Sequence, residues 1–268
     1  MTERFDLVLF DMGGVIVDID RAAFMSAAIE AGVDPRPALS FWRSGYEGGE
    51  DDDHPLHRAE RGEILSPEFL QLAESAAPGS SYLFDPHGPG FLMRFVRPSV
   101  AWADVATAAK GAGLRIGALT NTIDGLAEVD VLRVNPGMHA HGSSLFGRDI
   151  LESHLLRARK PGAAAFAAAT SYFEVDPSRV LFIDDEAGNC EGARAFGMTA
   201  VHNDGPAAIL LARQLLSLKR HTTDAVRTPC RRGRSCAPGR SQSDWGYKYA
   251  AEAHRDPMWA HSGPASQS

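Results

Sequence analysis

Two short apolar runs, Leu7-Val8-Leu9-Phe10 and Val180-Leu181-Phe182-Ile183, each end on acid: Asp11 after the first, Asp184-Asp185 after the second. Unbroken apolar runs of this length, bounded by turn residues, predict parallel strands buried on both faces. Leu114–Leu119 and Thr199-Ala200-Val201 read the same way, and Val15-Ile16-Val17 predicts a short strand closing on Asp18 and Asp20. Helical patterns alternate with these runs. Asp20 is placed to cap a helix over Ala22–Ala31, with Gly32 just past its end. Ser66-Pro67-Glu68 predicts a helix start with Ser66 as cap. Pro98 and Ser99 open a helix to Lys110 that stops at Gly111 and Gly113. Further helices are predicted over Pro161–Glu174, from Glu186 to near Gly197, and over Pro206–Leu218.

Alternating strands and helices predict an α/β fold, a Rossmann-like three-layer parallel sheet. Residues 33–90 hold no convincing strand. Asp11 and Thr120 stand about 110 residues apart, against about 30 for one βαβ unit. A small helical cap inserted after the first strand fills that gap. The expected division is a core of residues 1–20 and 91–218, a cap of 21–90, and a basic, disordered tail of 219–268.

Charge sharpens the tail's distinction. The 268 residues carry a formal net charge of −7, and after residue 218 nine basic residues face four acidic ones. That balance of +5 leaves −12 for residues 1–218, which argues against a general nucleic-acid binder. The tail's aromatics (Trp245, Tyr247, Tyr249, Trp259) have no account in its composition. No segment approaches the roughly 18 apolar residues of a membrane span, and the apolar stretch at the start is too short for a signal peptide. Cys190, Cys230 and Cys236 match neither a disulfide framework nor a zinc site, so free thiols in a cytoplasmic setting are expected.

Strand ends converge on one crevice in open α/β sheets. Acids gathered there repel unless a cation lies among them, and oxygen ligands call for a hard divalent ion. Asp11, before Gly13-Gly14, can act as nucleophile or metal ligand. Thr120 and Asn121, at a strand's end, suit a phosphate cradle. Lys160, before Pro161-Gly162, can reach an anion as a point charge. Three other features carry little. Gly111-x-Gly113 precedes a strand and is no dinucleotide fingerprint. His139-x-His141 lies in a glycine-rich loop, and Cys190 is expected to pack as a small apolar residue.

Taken in order, Asp11, Thr120, Lys160-Pro161 and Asp184-Asp185-x-x-x-Asn189 resemble the haloacid dehalogenase-like (HAD) superfamily over roughly residues 5–205. Phe10–Asp20 and His57-Arg58-Ala59-Glu60-Arg61-Gly62-Glu63-Ile64 look most like its sugar-phosphate phosphatases, a subgroup that includes an α-glucose-1-phosphatase, with the phosphatase domain of soluble epoxide hydrolases as a cousin. The resemblance implies Mg²⁺-dependent hydrolysis of a small phosphorylated metabolite through an aspartyl-phosphate on Asp11. It places Mg²⁺ on Asp11, the Gly13 carbonyl and Asp185, with Asp184 as a direct or indirect partner. The phosphoryl oxygens fall to Thr120, the Asn121 amide and Lys160, and Asn189 is expected to anchor Lys160 or the metal's surroundings through its amide oxygen.

One position departs from the pattern: Gly13 stands where most such phosphatases carry a second Asp as general acid. Weakly basic leaving groups should then be favoured, or a cap residue should supply the proton, with His54 and His57 as candidates and solvated histidines as the plainer reading. A 2-haloacid dehalogenase and a catalytically idle binding module are the alternatives. Neither membrane nor nucleic acid is an expected partner, and monomer or homodimer stays open.

Overall fold

The computed structural model describes residues 5–47, 53–85, 90–124 and 145–218. In chain order the strands are β1 (Leu7–Phe10), β2 (Val17–Ile19), β3 (Val96–Pro98), β4 (Arg115–Thr120), β5 (Ile150–Glu152), β6 (Val180–Asp184) and β7 (Thr199–His202). Five of them form a parallel sheet in the order β5-β4-β1-β6-β7. Thus β1 is central, and the chain fills one side of it before the other. Such a reversal opens a crevice at the carboxyl ends of the strands. Register aims the chemistry there: Phe10 lies opposite both Ala118 and Ile183, so Asp11 and Asp184 leave their strands side by side.

Alternation along the strands divides the core into two layers. Val8, Phe10, Ile116, Leu181 and Ile183 face α6 (Val100–Gly111) and α10 (Pro206–Leu215). Leu7, Leu9, Leu119 and Phe182 face α8 (Ala163–Tyr172) and α9 (Ala187–Ala195). Burying side chains such as Phe10, Phe166 and Phe182 contributes about 1.5–3 kcal/mol each. This is the three-layer α/β arrangement that the strand and helix patterns predict.

Between β2 and β3 the chain forms α1 (Arg21–Glu30), α2 (Arg36–Glu47), α3 (Pro55–Glu60), α4 (Ser66–Ala76), α5 (Ser80–Phe84) and a 3₁₀ turn over Leu92–Phe95. These helices bury their own cluster, with Phe24, Leu56, Phe69, Leu83 and Phe91 at its centre. Ile123, just past β4, also packs into it. β2 and β3 pair as an antiparallel ribbon, with Asp18 opposite Arg97. Asp20 caps α1 by accepting from the Ala23 amide at 3.0 Å and pairs with the Arg97 guanidinium at 2.6 Å. Among the described residues no helix is long and apolar enough to cross a membrane.

Local expectations shift in several places. Val15 and Ile16 are fully buried in the turn after β1, and strand pairing covers Val17–Ile19 instead. Ser66 is the first helical residue rather than the cap; Leu65 holds that position, and the Ser66 hydroxyl is buried without a hydrogen bond. β3 and β5 have only three residues each, too short for a periodic signal, and exist because β2 and β4 offer them edges. α8 and α10 end earlier than predicted, where Glu174 and Ser217 turn to positive φ. The short α7 (Ser153–Leu156) follows β5 directly.

Gly117 in β4 exists for packing. A Cβ there would lie 2.2 Å from the Phe173 ring, which ends α8. Gly117→Ala should therefore lower stability by about 1–3 kcal/mol, read as a fall in melting temperature. An unchanged melting temperature would contradict this placement of Phe173 against the sheet.

Candidate active site

Asp11 directly follows β1, and its amide continues the ladder by donating to the Ile183 carbonyl at 2.8 Å. Lys160 stands before α8. Its Nζ donates to Asp11 Oδ1 and Asp184 Oδ2, both at 2.7 Å, and lies 5.4 Å from the Phe182 ring centre. The lysine is 1% exposed. Such burial is tolerable because both carboxylates meet its charge directly.

Asp184 is itself held from several sides. It accepts from the Glu186 amide at 2.8 Å and from Asn189 Nδ2 at 3.0 and 3.1 Å. Asn189 thus acts through its amide nitrogen on Asp184, not through its oxygen on Lys160. The Asp184 carbonyl accepts from the Asn203 amide at 2.8 Å and from Cys190 Sγ at 3.6 Å. Cys190 is buried, and burial first, then Asp184, pushes its thiol up to about 12. It packs as an inert small residue, as its sequence context predicts.

Asp185 is oriented from behind by His202 Nε2, which donates to its carbonyl at 2.9 Å. Gly14 leaves room for its side chain. A Cβ on Gly14 would sit 1.9 Å from Asp185 Oδ2, and its φ of +65° also favours glycine. Carboxylate oxygens of Asp11, Asp184 and Asp185 come within 4.8 Å of one another.

Asn121 does more than its backbone suggests. Its Nδ2 donates to the Lys160 carbonyl and its Oδ1 accepts from the Lys160 amide, each at 2.9 Å. This clamp joins the end of β4 to the lysine turn, and nothing in sequence separation signals it. Thr120 ends β4 half-buried, and its hydroxyl makes no hydrogen bond to a described residue. Gly13 lies in the turn after Asp11, bridged to Val17.

His54 is half-buried and His57 fully buried, and both are engaged by the insert. His54 Nδ1 caps α3 by accepting from the Leu56 amide, its ring packs 4.7 Å from Phe41, and the fully buried His57 uses Nε2 on the Gly45 carbonyl. Both serve the insert's own structure. His139, His141, Cys230, Cys236 and the basic tail lie outside the described residues.

Tyr46 on α2 is an insert residue within electrostatic reach of the cluster. Burial first, then Glu60, Glu186, Asp11 and Asp185, push its phenol well above the ordinary range. The neutral hydroxyl makes no hydrogen bond to a described residue. Sequence reading passed over it, because a tyrosine in an amphipathic helix looks like core.

Charge is left unbalanced. Three carboxylates face one ammonium, a deficit of two positive charges. Burial, then the Asp184 charge, raises Asp11 to about 7 against the pull of Lys160. Burial and the charges of Asp11 and Asp184 also raise Asp185 well above the carboxylate range. Burial works against the Lys160 charge, yet Asp11 and Asp184 outweigh it and hold the ammonium above its usual range. With all three acids ionised, an oxygen-only donor set short of two positive charges fits a hard divalent cation such as Mg²⁺.

Residues 5–197 match the family model described as haloacid dehalogenase-like hydrolase. The chain belongs to the haloacid dehalogenase-like hydrolase family. Solved structures with its fold include a predicted HAD-like hydrolase from Porphyromonas gingivalis, 22% identical, TM-score 0.54, covering 78% of this chain and 98% of that one. An aspartate-to-alanine mutant of a HAD enzyme from Bacteroides thetaiotaomicron, in complex with magnesium and inorganic phosphate, is 20% identical with TM-score 0.53 (73% and 92% covered). L-2-haloacid dehalogenase from Xanthobacter autotrophicus, with chloropropionic acid covalently bound, is also 20% identical with TM-score 0.53 (80% and 83% covered). At these identities the likeness is one of fold, and this HAD-like hydrolase is an enzyme of the family whose chemistry its own residues must decide.

The raised carboxyls make cation binding pH-dependent. Between an ordinary 3.8 and about 7 the folded, metal-free protein holds a proton on Asp11 that the unfolded chain has lost. Stability without metal therefore falls as pH rises through that window. Mg²⁺ needs the ionised form, so its affinity should drop at least about tenfold from pH 8 to pH 6. Calorimetric titration checks this, and Mg²⁺ should raise the melting temperature more at pH 8. Equal affinity at both values would refute the assignment of these carboxylates as ligands.

Proposed function

We propose that this HAD-like hydrolase is a Mg²⁺-dependent phosphomonoester hydrolase acting on a small, sugar phosphate-like metabolite. The observation that carries the reading is the doubly negative excess at Asp11, Asp184 and Asp185 around a buried lysine. A carboxylate nucleophile displacing halide from a haloacid has no use for that excess. One approaching a phosphate dianion needs it offset. When bound, Mg²⁺ supplies positive charge that lowers the repulsion between Asp11 and the phosphoryl oxygens.

The chain's own residues supply the rest. Lys160 holds Asp11 Oδ1, leaving the second oxygen to attack phosphorus in line. The new Asp11–phosphorus bond forms as the bond to the leaving oxygen breaks. Water then attacks phosphorus, releasing inorganic phosphate and restoring the Asp11 carboxylate. Thr120 and the Asn121 amide take phosphoryl oxygens, while Asp11, Asp185 and the Gly13 carbonyl would hold the cation, with Asp184 as a direct or indirect partner. Helices α1–α5 act as a cap that encloses the substrate, with the Tyr46 hydroxyl facing its leaving group. The absence of a carboxyl at Gly13 favours leaving groups that need no proton, and the anomeric sugar phosphates of the α-glucose-1-phosphatase-like subgroup meet that condition.

A panel of phosphate esters assayed with and without Mg²⁺ tests this. Aryl and acyl phosphates should turn over about 10²-fold or more faster than primary alkyl phosphates. Asp11→Asn should abolish phosphate release while leaving the melting temperature near that of the wild type. Halide release from a haloacid in EDTA would favour the dehalogenase reading instead, and no turnover at all would favour a binding module.

Tyr46→Phe offers a separate check on the cap. It should change the ranking of sugar phosphates by kcat/KM and leave p-nitrophenyl phosphate, whose leaving group has no hydroxyls, unaffected. An unchanged ranking would remove Tyr46 from the substrate's surroundings.

A further inference from the structure

The helical insert and the sheet are joined by more than the β2–β3 ribbon. Glu60, the last residue of α3, places Oε2 2.6 Å from Arg159 Nε, a pair 99 positions apart in sequence. Their side chains are 1% and 4% exposed. Beside them the Arg157 guanidinium donates to the Gly62 carbonyl. Glu60 Oε1 is buried and accepts no hydrogen bond. A cavity of about 370 Å³, lined in part by Arg61, Arg157 and Arg159, lies at the same seam.

Arg159 is covalently bonded to Lys160. Its carbonyl accepts from the Gly162 amide at 2.9 Å, which tightens the turn, and the Lys160 peptide groups are clamped by Asn121. The lysine turn is thus gripped from two bodies: by the sheet through Asn121, and by the insert through Glu60 and Arg159. Each body buries its own apolar cluster.

We propose that the Glu60–Arg159 pair is a clasp that couples the position of the helical insert to the placement of the Lys160 ammonium between Asp11 and Asp184. Removing one charge from a dry pair strands the other, so the seam favours two arrangements: closed with the pair made, or open with both groups hydrated. Opening frees Arg159 and slackens the turn that presents Lys160. Closing over a substrate sets the lysine in place. Glu60 and Arg159 are positioning residues here, since both act on the reacting groups through Lys160. Sequence alone gives no sign of the pairing: Glu60 stands in the stretch of residues 57–64 that resembles the family's cap, 99 positions from Arg159.

The test uses the full chain with Mg²⁺ and the variants Glu60→Gln, Arg159→Gln and the two combined. The double variant leaves no stranded charge and keeps the fold even if a single one does not. Hydrogen–deuterium exchange should quicken about tenfold at amides 157–162 and 55–64, with β1 and β6 unchanged. On p-nitrophenyl phosphate, kcat should fall about tenfold with KM nearly constant, and the double variant should be no worse than either single one. Unchanged exchange at 157–162 in the double variant, losses that multiply, or a rise in KM alone would overturn the clasp. The kinetic arm rests on the phosphatase reading and the exchange arm does not. A wild type inert on every phosphate would remove that reading and leave the clasp to be judged by exchange.

Discussion

A buried ammonium between two carboxylates is the constraint around which the rest of this enzyme is arranged. Lys160 bridges Asp11 and Asp184 at 2.7 Å on each side, and a pair so deeply buried persists only where geometry and further hydrogen bonds sustain it. Nearly every local feature of the site serves that need. Asn121 fixes the lysine's backbone, Asn189 and the Glu186 amide satisfy Asp184, and the β1–β6 register brings the two acids together. Asp185 adds a third carboxyl beside them, and its oxygens lie within 4.8 Å of those of Asp11 and Asp184.

That arrangement also explains the molecule's division of labour. The sheet supplies rigid strand ends, where side chains are placed by hydrogen-bond register. The insert supplies a second, separately packed surface, joined through the β2–β3 ribbon and the Glu60–Arg159 seam. The two bodies bury separate apolar clusters, so the charges are fixed by one and the surface beside them is supplied by the other. The Asp20–Arg97 pair at the ribbon holds the crossing, and the cap on α1 sets the direction in which the insert leaves.

Much of this was legible before the chain was folded. Apolar runs ending on Asp11 and on Asp184-Asp185 carried both the strands and the acids that leave them, because period and composition mark a buried strand at short range. Three-residue strands were not legible: Val96–Pro98 and Ile150–Glu152 pair only because a partner edge is present. His54 and His57, read as solvated histidines with proton donation as the alternative, prove to be engaged within the insert. Tyr46 carried no mark in the sequence: it packs against the insert's core and also lies in the field of the carboxylates.

The order of Asp11, Thr120, Lys160 and Asp184-Asp185 along the chain carried the resemblance to the family, and Asp11, Thr120 and Asp184-Asp185 marked strand ends locally, each closing an apolar run. Tertiary structure alone decided which charges meet. Asn121 and Lys160 lie 39 positions apart, Asp11 and Lys160 149, and Glu60 and Arg159 99. Pairings at such separations depend on strand order and on the seat of the insert. No periodicity encodes either, because both arise only when distant apolar faces pack.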